Sequence, residues 1–276
     1  MPYGEASNSS WPGWRQFTKG IPAGGSSAPS FWGYFRLVTV SGKRVLLFKS
    51  NVHLDEGQPL LEELVGLLIQ ETKPQLILST GTAGGARLTD AIGTVNIVSA
   101  GTLYESSGAQ STWPRYANAW RPTMTTVGAS SFRAQLLAVP TTTADLASLA
   151  TQFNKAQRST YTLAQLDPLG LDAGPPAPAV NDLTPTTSLL TATSFVVANT
   201  GGNYAEFACV EMDDAVIGKV CRASNIPFGF VRNISDPVQN KALPPNAQGA
   251  WGSFVYEAYG FYTSYNGALA AWGILV

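Results

Sequence analysis

The sequence predicts an α/β protein built on a mixed or parallel sheet with helical cover, and three observations carry that reading. A strand–helix–strand order runs from Arg44 to Ser79, the arrangement that buries one helix face on a sheet. Short apolar runs at 76–78, 92–100 and 226–231 stop at glycine, proline or polar residues, as buried strands do. From Gly249 to the C-terminus the chain is apolar and aromatic at helical length.

Taken in order, residues 1–30 are rich in Gly, Ser, Pro and Trp without a period, and are expected to form an irregular arm packed through Trp11 and Trp14. Residues 31–276 are expected to form a single domain. Tyr34–Val40 and Arg44–Lys49 flank Ser41-Gly42-Lys43, a hairpin signature. Leu60, Leu61, Leu64, Leu67 and Leu68 follow helical spacing, so Pro59–Thr72 is predicted helical with Pro59 in its first turn. Pro74 closes that helix, and the strand Gln75–Ser79 follows. Ile92–Ala100 is a further strand. Residues 101–131 carry Trp113, Tyr116 and Trp120 among polar residues and read as a long loop over a site or an interface. Ala144–Ala156 is predicted helical, and Asp172–Ser188, with its prolines, is predicted to be coil. Phe195–Asn199 reads as a strand ending at Thr200-Gly201-Gly202-Asn203-Tyr204, and Glu206–Ala223 as a helix.

Composition narrows the classes of function. Among 276 residues 45% are hydrophobic and only 13% charged, so the surface must be rich in Ser, Thr, Asn and Gln, as suits a subunit that buries surface in an oligomer. Net charge is −1 with no basic block, which argues against nucleic acid as the main partner. Two cysteines, Cys209 and Cys221, fall in one predicted helical stretch, so reduced thiols and a cytoplasmic location are expected. The start Met1-Pro2-Tyr3-Gly4-Glu5 lacks the basic and apolar regions of a signal peptide, and no run is apolar enough for a membrane span. One histidine, His53, and no Cys/His cluster make a metal site an unneeded assumption.

Two strand ends carry the chemistry. Leu76-Ile77-Leu78 runs into Ser79-Thr80-Gly81-Thr82-Ala83-Gly84-Gly85, where missing side chains allow a ligand close to the backbone or simply make a tight turn. Ile226–Val231 ends in Arg232-Asn233-Ile234-Ser235-Asp236-Pro237, which places an arginine and a carboxyl at a strand exit. Upstream, Glu211, Asp213 and Asp214 crowd the expected first turn of a helix, where acidic side chains suit the dipole.

Together these segments, with Ile92-Gly93-Thr94-Val95-Asn96-Ile97-Val98-Ser99 and Val210-Glu211-Met212-Asp213, resemble the nucleoside phosphorylase and nucleosidase superfamily. Their order and spacing are similar to the methylthioadenosine/S-adenosylhomocysteine nucleosidase branch, over about Arg44 to Asp236. The resemblance implies a three-layer α/β sandwich with a mixed central sheet flanked by helices. It further implies cleavage of an N-glycosidic bond in a small-molecule purine nucleoside, no cofactor, and a homo-oligomer. By the same resemblance Asp236 protonates the leaving base, Ser235 orients it, and Arg232 lies close to the attacking water. Thr82, Ala83 and Gly84 line the cleft, Tyr204 stacks on the base, and Glu211, Met212 and Asp213 surround the ribose. Asp236 can equally cap a turn, and Arg232 can equally form a structural ion pair.

The sequence departs from the family pattern in three places. Asp213 stands where the branch has a glutamate. Ser79 stands where phosphorylases carry a phosphate-clamping arginine, and a hydroxyl cannot replace that charged fork, so water is the expected nucleophile. The N-terminal strand ending in a water-activating glutamate is missing, which leaves His53, Asp55, Glu56 and Glu105 as replacement bases. Two alternatives follow. One is a phosphorylase using Arg87, Arg115 or Arg121 for phosphate. The other is a nucleoside-binding protein without catalysis.

Overall fold

A computed structural model describes residues 13–21, 29–87, 90, 92–136, 146–166, 180–183, 187–193, 204–237 and 243–276. The first elements form a small antiparallel sheet, β1 (Arg15–Phe17), β2 (Gly33–Val40) and β3 (Lys43–Ser50), in that order. Ser41 and Gly42 both have positive φ, 48° and 77°, the pattern of a two-residue hairpin turn whose twist matches its strands. Residues 15–17 therefore correct the expectation of an arm irregular throughout, since they pair with Gly33–Phe35.

Helix α1 (Gln58–Thr72) places Leu61, Leu64 and Val65 inward and ends at Lys73 in the left-handed conformation, whose N–H bonds Ile69. Then come β4 (Ile77–Gly85), β5 (Val95–Val98), β6 (Ala100–Leu103), β7 (Arg115–Ala117), α2 (Thr126–Leu136), α3 (Leu146–Gln157), α4 (Leu163–Leu166), β8 (Val180–Leu183), β9 (Leu189–Thr191), β10 (Val210–Glu211), α5 (Asp214–Ala223), β11 (Phe228–Pro237) and α6 (Pro245–Leu275). Among the described residues the larger sheet has eight strands, ordered β7-β6-β9-β10-β4-β11-β5-β8. It is mixed: β4 and β11 run parallel, while β10–β4 and β5–β11 are antiparallel.

Alternation on β11 explains the layers. Phe228, Phe230 and Ile234 face α1 and α5, packing with Leu64, Val216 and Cys221. Val231 faces the other side, where Val95 and Ile97 meet Leu269, Ala270 and Ile274 of α6. A sheet apolar on both faces requires cover on both, and the two helical groups supply it. The result is the predicted three-layer α/β sandwich.

Several boundaries move. The glycine-rich stretch after Ser79 is not a turn but the second half of β4, because its backbone pairs with β11 through Gly85. Ile92–Ala100 breaks at Ser99 into two strands. The predicted helix over 206–223 begins only at Asp214. Upstream, the Ala208 N–H bonds Ser188 and the Leu190 N–H bonds the Cys209 carbonyl, so sheet pairing takes the groups a helix would need. Cys209 and Cys221 are accordingly not in one helix, and both are buried free thiols. The predicted loop 101–131 contains β7 and the start of α2, and the predicted coil 172–188 contains β8. The predicted strand Phe195–Asn199 and the turn at 200–203 lie outside the described residues. No helix among the described residues is long and apolar enough to cross a membrane.

Helices α2 and α6 touch backbone to backbone at Gly128 and Gly273, where a Cβ on Gly128 would lie 2.5 Å from the Gly273 Cα. Neither backbone can yield without moving a helix. Gly128→Ala is expected to destabilise the protein by about 1–3 kcal/mol, read as a lowered urea midpoint at unchanged m-value.

Candidate active site

The site assembles on three neighbouring strands. Val210 of β10 pairs with Gly84 of β4, and Gly84 pairs on its other edge with Asp236 of β11. Two strand spacings put Val210 and Asp236 roughly 10 Å apart, with a residue lacking a side chain between them. The register shifts between Ile234 and Asp236, so Ser235 is an extra residue on β11. Such a bulge re-aims the side chain after it. Here the Ser235 hydroxyl reaches the Ala83 carbonyl at 3.3 Å and the Asp236 Oδ1 at 2.6 Å.

Arg232 is the hub of the buried charge. Its Nε donates to Asp214 Oδ2 at 2.6 Å, and its Nη2 donates to Asp214 Oδ1 and, at 3.0 Å, to the Ser79 hydroxyl. Glu211 Oε2 lies 3.2 Å from the same Nη2. The guanidinium lies over Gly81, where any Cβ would collide with Nη1, so that glycine makes room for Arg232. Burial alone would lower the Arg232 pKa, but the Asp214 and Glu211 carboxylates outweigh it and raise it. Arg232 thus takes the structural ion-pair position rather than presenting a free cation.

Glu211 closes the other half of the cluster. It accepts the Asp213 N–H at 2.7 Å and the Asp214 N–H at 3.0 Å, so its carboxylate satisfies the first donors of α5. Thr191 on the adjacent β9 donates to Glu211 and accepts the Ala215 N–H at 2.9 Å. Burial, then the Asp214 charge, push the Glu211 pKa up, against the pull of Arg232. The sequence marks these acids only as helix-dipole partners. Thr191 carries no local signal, because its role depends on β9 lying beside β10.

Asp213 turns away from this cluster. Its Oδ2 lies 2.8 Å from His53 Nδ1, and its Oδ1 accepts the Leu54 N–H at 3.3 Å. His53 was one base candidate among four. Glu56 accepts the His53 N–H at 2.6 Å, while Asp55 and Glu105 are exposed. The Asp213 hydrogen bond raises the His53 pKa, partly offset by burial and reinforced by the charges of Asp213, Glu56 and Asp55. A surface hollow of about 310 Å³, lined by Phe31, Asn51, Val52, Glu56 and Leu60, opens beside this loop.

Asp236 differs from the other buried acids. It is 5% exposed, and its Oδ2 is buried with no hydrogen-bond partner among the described residues. Burial pushes its pKa up to about 6 against the opposing Ser235 hydrogen bond. Ala83 and Gly84 are buried, with the Ala83 methyl in the core facing α1 and α5, while Thr82 and Met212 are half-buried. Tyr204 is 6% exposed in an aromatic cluster with Trp113, Phe207 and Tyr104. Arg87, a candidate for phosphate, pairs with Asp90 at 2.9 Å. No group of three or more potential metal ligands occurs among the described residues.

Removing the hub leaves two carboxylates buried without a counter-charge. Arg232→Met is expected to lower stability by about 3–5 kcal/mol, measured by urea denaturation at pH 7.

Solved structures share this fold. An S-adenosylhomocysteine nucleosidase from Streptococcus pyogenes superposes with a TM-score of 0.50 at 18% identity, covering 88% of this chain and 83% of that one. A 5′-methylthioadenosine/S-adenosylhomocysteine nucleosidase from S. pneumoniae gives 0.50 at 18% identity, covering 88% and 86%. A futalosine hydrolase of Helicobacter pylori gives 0.48 at 12% identity, covering 94% and 88%. At such identities the likeness is one of fold. No curated protein matches the sequence. The sequence model of the Phosphorylase superfamily matches residues 29–258, most of the chain, and the chain belongs to that superfamily.

Proposed function

We propose that this protein hydrolyses the N-glycosidic bond of purine nucleosides, with Asp236 as the acid that protonates the leaving base. The observation that carries the reading is the Asp236 carboxyl itself: buried, oriented by Ser235, with one oxygen unpartnered and a pKa of about 6. A leaving purine needs a proton on a ring nitrogen, and only a carboxyl that holds its proton near neutrality can give one. An unpartnered buried oxygen needs an explanation, and a donor site awaiting a base provides it. The resemblance to nucleosidases and the fold shared with one crystallised with 5-methylthiotubericidin support a nucleoside as the ligand class.

Water is the nucleophile in this reading. The guanidinium nearest the glycine-rich strand is already bound to Asp214, Glu211 and Ser79, and Arg87 is bound to Asp90. A phosphate would have to displace a buried carboxylate from Arg232. Thr82, Ala83 and Gly84 would then form one wall of the cleft. Glu211, Met212 and Asp213 would form the sugar side, and Tyr204 the base side.

Nucleosides incubated with and without phosphate, with free base followed by chromatography, test this directly. Release should proceed equally in both. Asp236→Asn should lower it by roughly 10²–10⁴-fold with the far-UV spectrum unchanged. Turnover that survives the substitution removes Asp236 from the mechanism.

A stability prediction accompanies it. The folded pKa of about 6 lies above that of an ordinary aspartate, 3.8, so the folded state holds the extra proton. Wild-type stability should therefore fall as pH rises from about 4 to about 6. Asp236→Asn lacks this loss and should gain on wild type by on the order of 2–3 kcal/mol between pH 4 and pH 7 in urea titrations.

A further inference from the structure

We propose that His53, held by Asp213, is the base that takes the proton from the attacking water. This rests on the hydrolase reading above and supplies the group that reading lacks.

Both carboxylate oxygens of Asp213 are engaged by the His53 segment. Oδ2 meets His53 Nδ1 at 2.8 Å and Oδ1 holds the Leu54 N–H. A carboxylate opposite Nδ1 requires the proton on Nδ1, which leaves a bare lone pair on Nε2. The His53 side chain is 45% exposed, and its loop borders the open hollow beside Glu56, so the Nε2 edge is reachable by water. The loop is fixed at both of its neighbouring amides, by Glu56 at the His53 N–H and by Asp213 at the Leu54 N–H. Asp213 itself is fixed at the start of α5 through Glu211.

The placement suits an acid and a base acting from opposite sides. Asp236 lies across Gly84 from Val210, and Asp213 follows Val210 by three residues. In the step, the water oxygen bonds the anomeric carbon while the carbon–nitrogen bond breaks and its electron pair leaves with the base. His53 Nε2 takes one water proton, and Asp236 gives its proton to the base. The imidazolium then loses its proton to solvent and Asp236 regains one, so the net change is addition of water.

The chain has one histidine, so its imidazole can be observed without ambiguity. Nitrogen-15 NMR of the full chain should show the neutral ring protonated on Nδ1, titrating above 6.5, with Asp213→Asn lowering that midpoint. An Nε2–H tautomer, or no response to Asp213→Asn, overturns the proposal whatever the activity. His53 must be neutral and is surrounded by Asp213, Asp55 and Glu56, while Asp236 must be protonated. Wild-type kcat/KM should therefore fall on both sides of a narrow optimum. His53→Gln should lower kcat by roughly 10²–10⁴-fold with little change in KM. It should also abolish the acid-side fall and keep the alkaline-side fall set by Asp236. A purely structural role would lower the rate without changing the shape of the profile, and that result overturns the proposal. Undiminished turnover in His53→Gln with none in Asp236→Asn sinks the base and leaves the hydrolase reading standing. Absence of release by the wild-type protein overturns both.

Discussion

Arg232 sits on the central strand β11, and both ends of its guanidinium are bound. One side grips Asp214 at the start of α5, and the other reaches Ser79 on β4. Because the group is buried, each contact acts in a low dielectric and each vacancy would be costly. Glu211 extends the cluster by capping α5 with its carboxylate, and Thr191 ties that carboxylate to β9. Four strands and a helix therefore meet at one charge. The orientation of Asp213, and through it of His53, follows from this junction, since Asp213 lies between the capping Glu211 and the paired Asp214.

The buried acids divide by what neutralises them. Asp214 and Glu211 share a permanent cation, so their role is to hold the sheet and α5 together. Among the described residues Asp236 meets the Ser235 hydroxyl and no cation, and burial raises its pKa. Asp213 has an imidazole, whose charge depends on pH. Within one small region the same functional group thus faces a guanidinium, a hydroxyl or an imidazole. Environments that differ in this way are the means by which a fold can give distinct proton-transfer roles to chemically similar side chains.

Much of this was legible in the chain. The hairpin, α1 and the alternation of β11 follow from periodicity, and the Glu211–Asp213 and Ser235–Asp236 motifs fall at strand ends that flank the same strand, β4. What could not be read there depends on pairing between distant segments. The run after Ser79 looks like a turn because its small residues lack strand propensity. It is a strand because Arg232, 153 residues away from Ser79, fills the space over Gly81. Residues 206–213 look helical by composition, yet β9 and β4 claim their backbone. Asp213 is visible as an acid at a helix start, while its partner His53 lies 160 residues earlier and is brought to it by the hairpin and the short turn at 54–56.

The extra residue at Ser235 has an implication for how the family can vary. Side chains on a strand alternate between layers, so chain length there is as informative as residue identity. Deleting Ser235 would keep Asp236 yet turn its carboxyl toward a different layer and remove the hydroxyl that holds it. Loops elsewhere on the surface tolerate growth and shrinkage, but this short stretch of β11 does not. A descendant with altered spacing here would carry the same aspartate in a different layer of the sandwich.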